Sequence, residues 1–260
     1  MKILVLGHKG MLGRTAAQYF KEREKYTVQT LSIRFGEDGF EDQIKKNNPD
    51  YIINCIGAIP QKNPTESEYK LTNNDLPVLL EKLDIPVIHP STDCEFNGRL
   101  PVCELYTKKS KRDAEDIYGK SKADISEEIE NNFVNTKIIR TSIIGHEEET
   151  EVALLDWFLS QDTEVGGYTN HYWNGITTLQ WVKQAEVMLE NWKSFPKLNQ
   201  YSIAPISKYE LLKIVSQVYK KNTKIVPFET QVTVNKCLST DLIISTIEEQ
   251  LVELKSFFKK

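Results

Sequence analysis

Tyr118 and Lys122 stand four residues apart in "YGKSK", residues 118–122. In a helix, positions i and i+4 lie on one face, a turn apart. A phenol and an ammonium so placed point the same way. The ammonium favours the phenolate and draws a phenol down from its usual pKa of about 10. Such a tyrosine passes protons near neutral pH. Alone, the pair says little, because solvated helices often carry these residues. A second candidate is "STD", residues 91–93, at the end of a predicted strand. There the Thr92 hydroxyl can donate to a carbonyl oxygen, or it closes a turn.

A third pattern is "VLGHKGMLGR", which carries Gly7, Gly10 and Gly13 between a predicted strand and a predicted helix. In that context Gly7 permits a tight turn, Gly10 lets the backbone approach a pyrophosphate, and Gly13 lets helix and strand pack closely. The helix start at Met11 and Leu12 then offers free N–H groups and a partial positive charge to phosphates. The spacing is GxxGxxG, not GxGxxG. An NAD site usually places Asp or Glu about 20 residues further on, against the ribose hydroxyls. Here that stretch is "LSIRFG", with Ser32 and Arg34 and no acid. An arginine suits the 2′-phosphate of NADP, and Lys9 adds a second cation. NADPH is therefore the expected cofactor, with NADH as the alternative. Asp38, in the next turn, is a candidate acceptor for the adenine amino group.

These groups need elements to hold them. Apolar runs predict strands at 2–6, 26–33, 51–57, 86–92 and 136–144. Between them, amphipathic runs predict helices at 10–24, 40–47, 66–83 and from Tyr118 onward. The third of these is expected to be disturbed near Pro77, which has no N–H to donate. Strands apolar throughout, separated by helices, imply a parallel sheet covered on both faces. The fold class is thus α/β, a doubly wound sheet of the Rossmann type. Residues 95–116 are charged, without periodicity, and too long for a mere connector. Later helices are expected at 151–160, 179–193, 207–220 and 246–258, with short strands near 164–168, 200–204 and 224–227. Residues 1–145 read as the dinucleotide-binding core. Residues 146–260 read mainly as a small α/β substrate lobe packed on it, with possible crossover of the chain.

The chain has 260 residues, 40% hydrophobic and 27% charged, with a formal net charge of −4. Without a basic stripe, nucleic acid is not an expected partner. No run approaches a membrane span, and the first apolar run is too short for a signal peptide. The four cysteines, Cys55, Cys94, Cys103 and Cys237, show no metal-ligand spacing. They read as reduced thiols of a cytoplasmic protein, with no metal expected. A homodimer is the common default.

The order GxxGxxG, STD, YxxxK resembles the extended short-chain dehydrogenases/reductases. Within them it is most similar to the dTDP-4-dehydrorhamnose reductase family of sugar-nucleotide enzymes. The matching pieces are "NPDYIINCIGAI" (48–59), "STDCEFNG" (91–98), "YGKSKAD" (118–124) and "IIRTSIIG" (138–145). "NGITT" (174–178) and "NKCLSTD" (235–241) resemble later landmarks. The resemblance implies a catalytic trio of Thr92, Tyr118 and Lys122. It places Asn54, Cys55, Ile56, Gly57 and Ala58 against the cofactor. Asn73 falls near the active site or serves as a cap beside Pro77. Ile143 and Ile144 line the nicotinamide side. Arg140 either holds charge at the base of the pocket or forms a buried pair. Asp93, Cys94, His171, Trp173 and Asn174 fall on the substrate side, with Tyr172 among them, although Trp173 equally suits core filling.

Departures from the family pattern gather on that substrate side. "ADI" follows the lysine where "AGE" is common, Cys94 follows "STD" where an aromatic is common, and Ile143 replaces a tryptophan. "TNHYWNGITT" (169–178) is unlike the usual segment. The first expectation is reduction of a nucleotide-activated 4-keto-6-deoxy sugar. An epimerase or dehydratase of the same fold is the second, though a dehydratase carries an acid pair after the threonine and an epimerase a ribose-binding acid. A non-catalytic NADP-binding regulatory subunit is the third, and such relatives commonly lose members of the trio.

Overall fold

The computed structural model describes residues 1–148 and 151–260. Its first half alternates β1 (Lys2–Leu6), α1 (Met11–Lys21), β2 (Thr27–Thr30), α2 (Phe40–Asn47), β3 (Tyr51–Asn54), α3 (Glu66–Tyr69), α4 (Leu76–Glu81), β4 (Val87–Ser91), α5 (Ile117–Asn132) and β5 (Thr136–Arg140). There follow β6 (Ile143–Ile144), α6 (Leu154–Ser160), β7 (Glu164–Tyr168), β8 (His171–Trp173), β9 (Ile176–Thr177), α7 (Thr178–Glu190) and β10 (Leu198–Gln200). The chain closes with β11 (Ile206–Ser207), α8 (Lys208–Tyr219), β12 (Lys224–Phe228), β13 (Val234–Asn235) and α9 (Ile247–Phe258).

Six strands form one parallel sheet in the order β10-β5-β4-β3-β1-β2. Alternation along each strand explains the unbroken apolar runs. Ile3, Val5, Ile53, Ile88 and Ile139 point to one face and pack with residues of α1, α7 and α9. Leu4, Leu6, Ile52 and Val87 point to the other and meet Phe40 and Ile44 of α2 and Leu76 and Leu80 of α4. On that second face Ile138 and Leu198 pack under Ile125, Ile129 and Phe133. The fold is a Rossmann-type doubly wound sheet. Strand order reverses between β1 and β3, and such a switch point opens a ligand crevice beyond the strand ends.

The second half contributes to this sheet as well as to the lobe. β10, read as a strand at 200–204, begins at Leu198 and runs parallel to β5. The lobe is built from α6, α8 and small sheets, β11-β8-β13 and β12-β7. β6, β8, β9, β11 and β13 span two or three residues each, too few for a periodicity to show. The apolar run 136–144 breaks into β5 and β6. Residues 66–81 make one helical rod whose middle, Lys70–Asp75, is a π-turn just before Pro77. A π-turn takes in an extra residue where the ladder loses a donor, as the proline's position predicts. The long segment after β4 packs on the C-terminal stretch: Phe96 stacks on Tyr106 at 4.1 Å, and Tyr106 bridges to Leu238.

Candidate active site

β1 delivers the chain into the glycine turn. Gly7 sits at φ +74°, in left-handed space, and its carbonyl accepts from Gly10 N–H at 3.0 Å. A Cβ on Gly13 would lie 2.1 Å from the Gly7 carbonyl oxygen, so helix and turn touch only because that atom is missing. Gly10 caps α1 with no side-chain acceptor, which leaves the first-turn N–H groups free for an anion. Met11 is half-buried there, whereas the Leu12 side chain belongs to the core and only its backbone is available. Lys9, Ser32, Arg34 and Asp38 are exposed around this turn, and among the described residues neither Lys9 nor Arg34 makes an ion pair. The cradle fits a dinucleotide pyrophosphate. Gly13→Ala is expected to cost about 1–3 kcal/mol of stability and to abolish dinucleotide binding, read by denaturant unfolding and by a fluorescence titration.

The loop after β3 is tied to the tyrosine helix. Asn73 is buried, accepts from Ala58 N–H at 2.8 Å, and donates to Ala58 O at 3.2 Å and Ser121 Oγ at 2.9 Å. Ser121 in turn donates to Tyr118 O. Asn73 thus clamps the Gly57–Ala58 backbone against α5, beyond a cap or kink beside Pro77. Cys55 and Ile56 are half-buried, and burial pushes the Cys55 thiol up. Asn54, read as lying against the cofactor, is fully buried. Its Oδ1 accepts from Ile56 N–H at 3.1 Å and its amide faces His89.

The three candidate catalytic groups converge beyond the end of β4. Thr92 caps a single 3-10 turn, accepting from Cys94 N–H at 3.1 Å and donating to Asp93 Oδ1 at 2.9 Å. Asp116 caps α5 and accepts from Gly119 N–H at 2.8 Å. A Cβ on Gly119 would lie 2.3 Å from Cys94 O, so this glycine lets α5 settle onto the threonine turn. That contact seats the Tyr118 end of α5 against the Thr92 turn, while the threonine proton itself goes to Asp93. Desolvation raises the phenol well above its ordinary range. The ammonium does not draw it down as the spacing suggested. Lys122 is buried, donates to Pro90 O at 2.8 Å, and lies 3.3 Å from His89 Nε2. Burial lowers Lys122 to about 8, against the opposing pull of Glu95.

Beneath the trio lies a buried ion network that the sequence reading missed apart from Arg140. Glu95 and Arg140 are both inaccessible, with Arg140 Nη2 2.6 Å from Glu95 Oε2. The two meet as charges, not as an aligned hydrogen bond, and Arg140 Nε and Nη2 have no hydrogen-bond acceptor. Glu95 also holds Arg112 at 2.7 Å and accepts from Ser91 and Ser126. Arg140 is therefore the buried pair of the two roles considered for it.

The family model described as the RmlD substrate binding domain matches residues 1–161. The chain belongs to the RmlD family. Among solved structures it superposes on a dTDP-4-dehydrorhamnose reductase from Clostridium acetobutylicum at a TM-score of 0.83, with 16% identity over 100% of both chains. The enzyme of that name from Bacillus anthracis, solved with NADP, gives 0.83 and 16% over 100% of this chain and 99% of that one. A UDP-glucose 4-epimerase from Thermotoga maritima, solved with UDP-glucose, gives 0.79 and 14% over 100% and 99%. No curated protein sequence matches.

The substrate side of this RmlD-family chain differs from the sequence reading. Trp173 is 7% exposed, packs in the main core and donates to Ser142 Oγ at 2.9 Å. Asn174 is buried and fully used, accepting from Leu238 N–H at 2.9 Å and donating to Leu238 O at 2.7 Å and Ile203 O at 3.2 Å. Both are framework, not pocket. Ile144 is likewise a core residue, and Ile143, half-buried, packs against the same cluster. His171 remains half-buried, stacked on Tyr168 at 4.4 Å and paired with Thr230 at 2.8 Å. Asp93 and Cys94 are half-buried, and burial raises both. Lys208 and Lys236, which the sequence did not single out, lie near enough to Asp93 to oppose that rise, and Lys208 also acts on His171. No local signal marks them, because each comes from a different element of the lobe.

Proposed function

We propose that the protein is an NADPH-dependent reductase of a nucleotide-activated 4-keto-6-deoxy sugar. The observation that carries this reading is the placement of Tyr118, a phenol raised by desolvation and so protonated at neutral pH, on the start of α5 that Gly119 seats against the Thr92 turn at the β4 end. Reduction of a ketone needs a proton donor at that place. A bound reduced nicotinamide supplies the hydride for the ketone carbon. The carbonyl oxygen gains the electron pair, and Tyr118 donates its phenolic proton to it as the alcohol forms. Thr92 offers a second donor to the developing alkoxide. Its proton points at Asp93 in the absence of substrate, so binding must turn it toward the ketone. Tyr118 is left as a phenolate and recovers its proton from solvent.

NADPH preference is supported by the exposed Arg34 and Lys9 and by the missing ribose-binding acid. The substrate class is supported by the family and by the printed names of the solved neighbours. The wider role, a sugar for a cell-surface polysaccharide made in the cytoplasm, follows from that resemblance. Dehydration is disfavoured because Cys94 follows Asp93 where an acid pair is needed, and the next acid along the chain, Glu95, is committed to Arg140 and Arg112. The test is NADPH oxidation against a panel of nucleotide 4-keto sugars. Turnover of at least one, slower with NADH, is expected. Interconversion of nucleotide hexoses on a retained NAD points instead to an epimerase. Cofactor binding without turnover across the panel points to a regulatory subunit.

A further inference from the structure

His89 lies on β4 with none of its surface exposed, directly behind Lys122. Its two ring nitrogens have one neighbour each: Asn54 Nδ2 at 3.1 Å from Nδ1, and Lys122 Nζ at 3.3 Å from Nε2. The orientation of Asn54 is not free. Its Oδ1 accepts from the Ile56 backbone N–H at 3.1 Å, and an N–H can only meet an acceptor. The amide NH₂ therefore faces Nδ1, which must supply a lone pair. A neutral imidazole with an accepting Nδ1 carries its proton on Nε2. That proton points at Lys122. An ammonium has no lone pair to receive it, whereas an amine has one and still donates to Pro90 O.

We propose that His89, locked by Asn54 into the Nε2–H form, is a positioning residue that donates to Lys122 and favours its amine over its ammonium. Burial keeps His89 neutral, as the arrangement requires. Burial acts on Lys122 in the same sense as His89, and the charged group that opposes both from another element is Glu95, shared with Arg140 and Arg112. Tyr118, one turn away on α5, is a neutral phenol. Lys122 is then a switchable base poised to titrate in the working pH range, not a permanent cation. The charge assignment stands by itself; its kinetic consequence rests on the reductase reading.

Nitrogen-15 NMR of histidine-labelled native protein reads the tautomer directly, with His89→Asn assigning the signal. A protonated Nε2 and a bare Nδ1 are expected. In Asn54→Asp the carboxylate accepts from Nδ1, so the proton is expected to move there and leave Nε2 to accept from Lys122. In His89→Asn the donor is gone, and the Lys122 midpoint, read from its side-chain carbon shifts, is expected to rise by about one pH unit or more. A native His89 proton found on Nδ1, or an unmoved Lys122 midpoint in His89→Asn, overturns the proposal. None of these readings needs a substrate. Where turnover is found, its decline at alkaline pH is expected to shift upward with the same midpoint. A failed substrate panel leaves the NMR result intact, so the two proposals fail separately.

Discussion

Tyr118→Phe is expected to lower turnover of the keto sugar by about 10²–10⁴-fold while dinucleotide affinity is kept. The phenyl ring fills the same space beside Tyr69, whose ring lies 6.1 Å away, so the fold has no reason to change. What disappears is the one proton that burial holds in place. The sign with pH follows from the raised phenol. Tyr118 is in its donor form across the neutral range, so its own ionisation does not limit the rate below its elevated pKa. Lys122 loses its proton near pH 8, and its ammonium favours the phenolate left on Tyr118 after proton transfer, so a loss of rate on the alkaline side belongs to it. Single-turnover kinetics and a dinucleotide titration on the same variant check both halves. A variant that retains most of its turnover would remove Tyr118 from the chemistry and leave Thr92 or a solvent proton in its place.

Glu95→Gln is expected to destabilise the fold by about 3–5 kcal/mol, because it strands a buried guanidinium without its counter-charge. The substitution keeps the shape and removes the charge alone. Arg140 has no other close partner of that strength: Glu130 lies 3.9 Å away, and Gln200 offers one hydrogen bond at 3.2 Å. Glu95 also joins Ser91 at the end of β4 to Ser126 on α5, and thus sets the distance between the threonine turn and the tyrosine helix. Turnover is therefore expected to fall together with stability. The exposed pair Arg99–Glu115 provides the comparison, with side chains 66% and 63% accessible. There Glu115→Gln is expected to change stability by no more than about 1 kcal/mol. Equal effects at the two positions, measured by denaturant unfolding, would show that burial of the charge is not what matters.

The alternation of strand and helix through β5, the glycine turn and the residue types of the candidate trio are all legible along the chain. Each of these is local. A parallel strand buried on both faces must be apolar at every position, and a turn that approaches phosphate must lack a Cβ. Tyr118 and Lys122 are four apart, and helical geometry alone puts them on one side. How these groups are charged depends on the packed fold. Whether an ammonium lowers a phenol or burial raises it depends on which atoms surround them, and those come from β3, β4 and α5 at once. The same holds on the substrate side. Trp173 and Asn174 read as pocket residues because their side chains suit a sugar nucleotide, but Ser142, Ile203 and Leu238 claim them from distant parts of the chain. His89 shows the limit most plainly. In "VIHPST" it is one residue of an apolar strand, and only the packing of Asn54 on one side and Lys122 on the other makes its tautomer matter. Spacing along the chain sets which groups can meet, while desolvation and hydrogen-bond direction, set by the fold, decide which protonation states they hold.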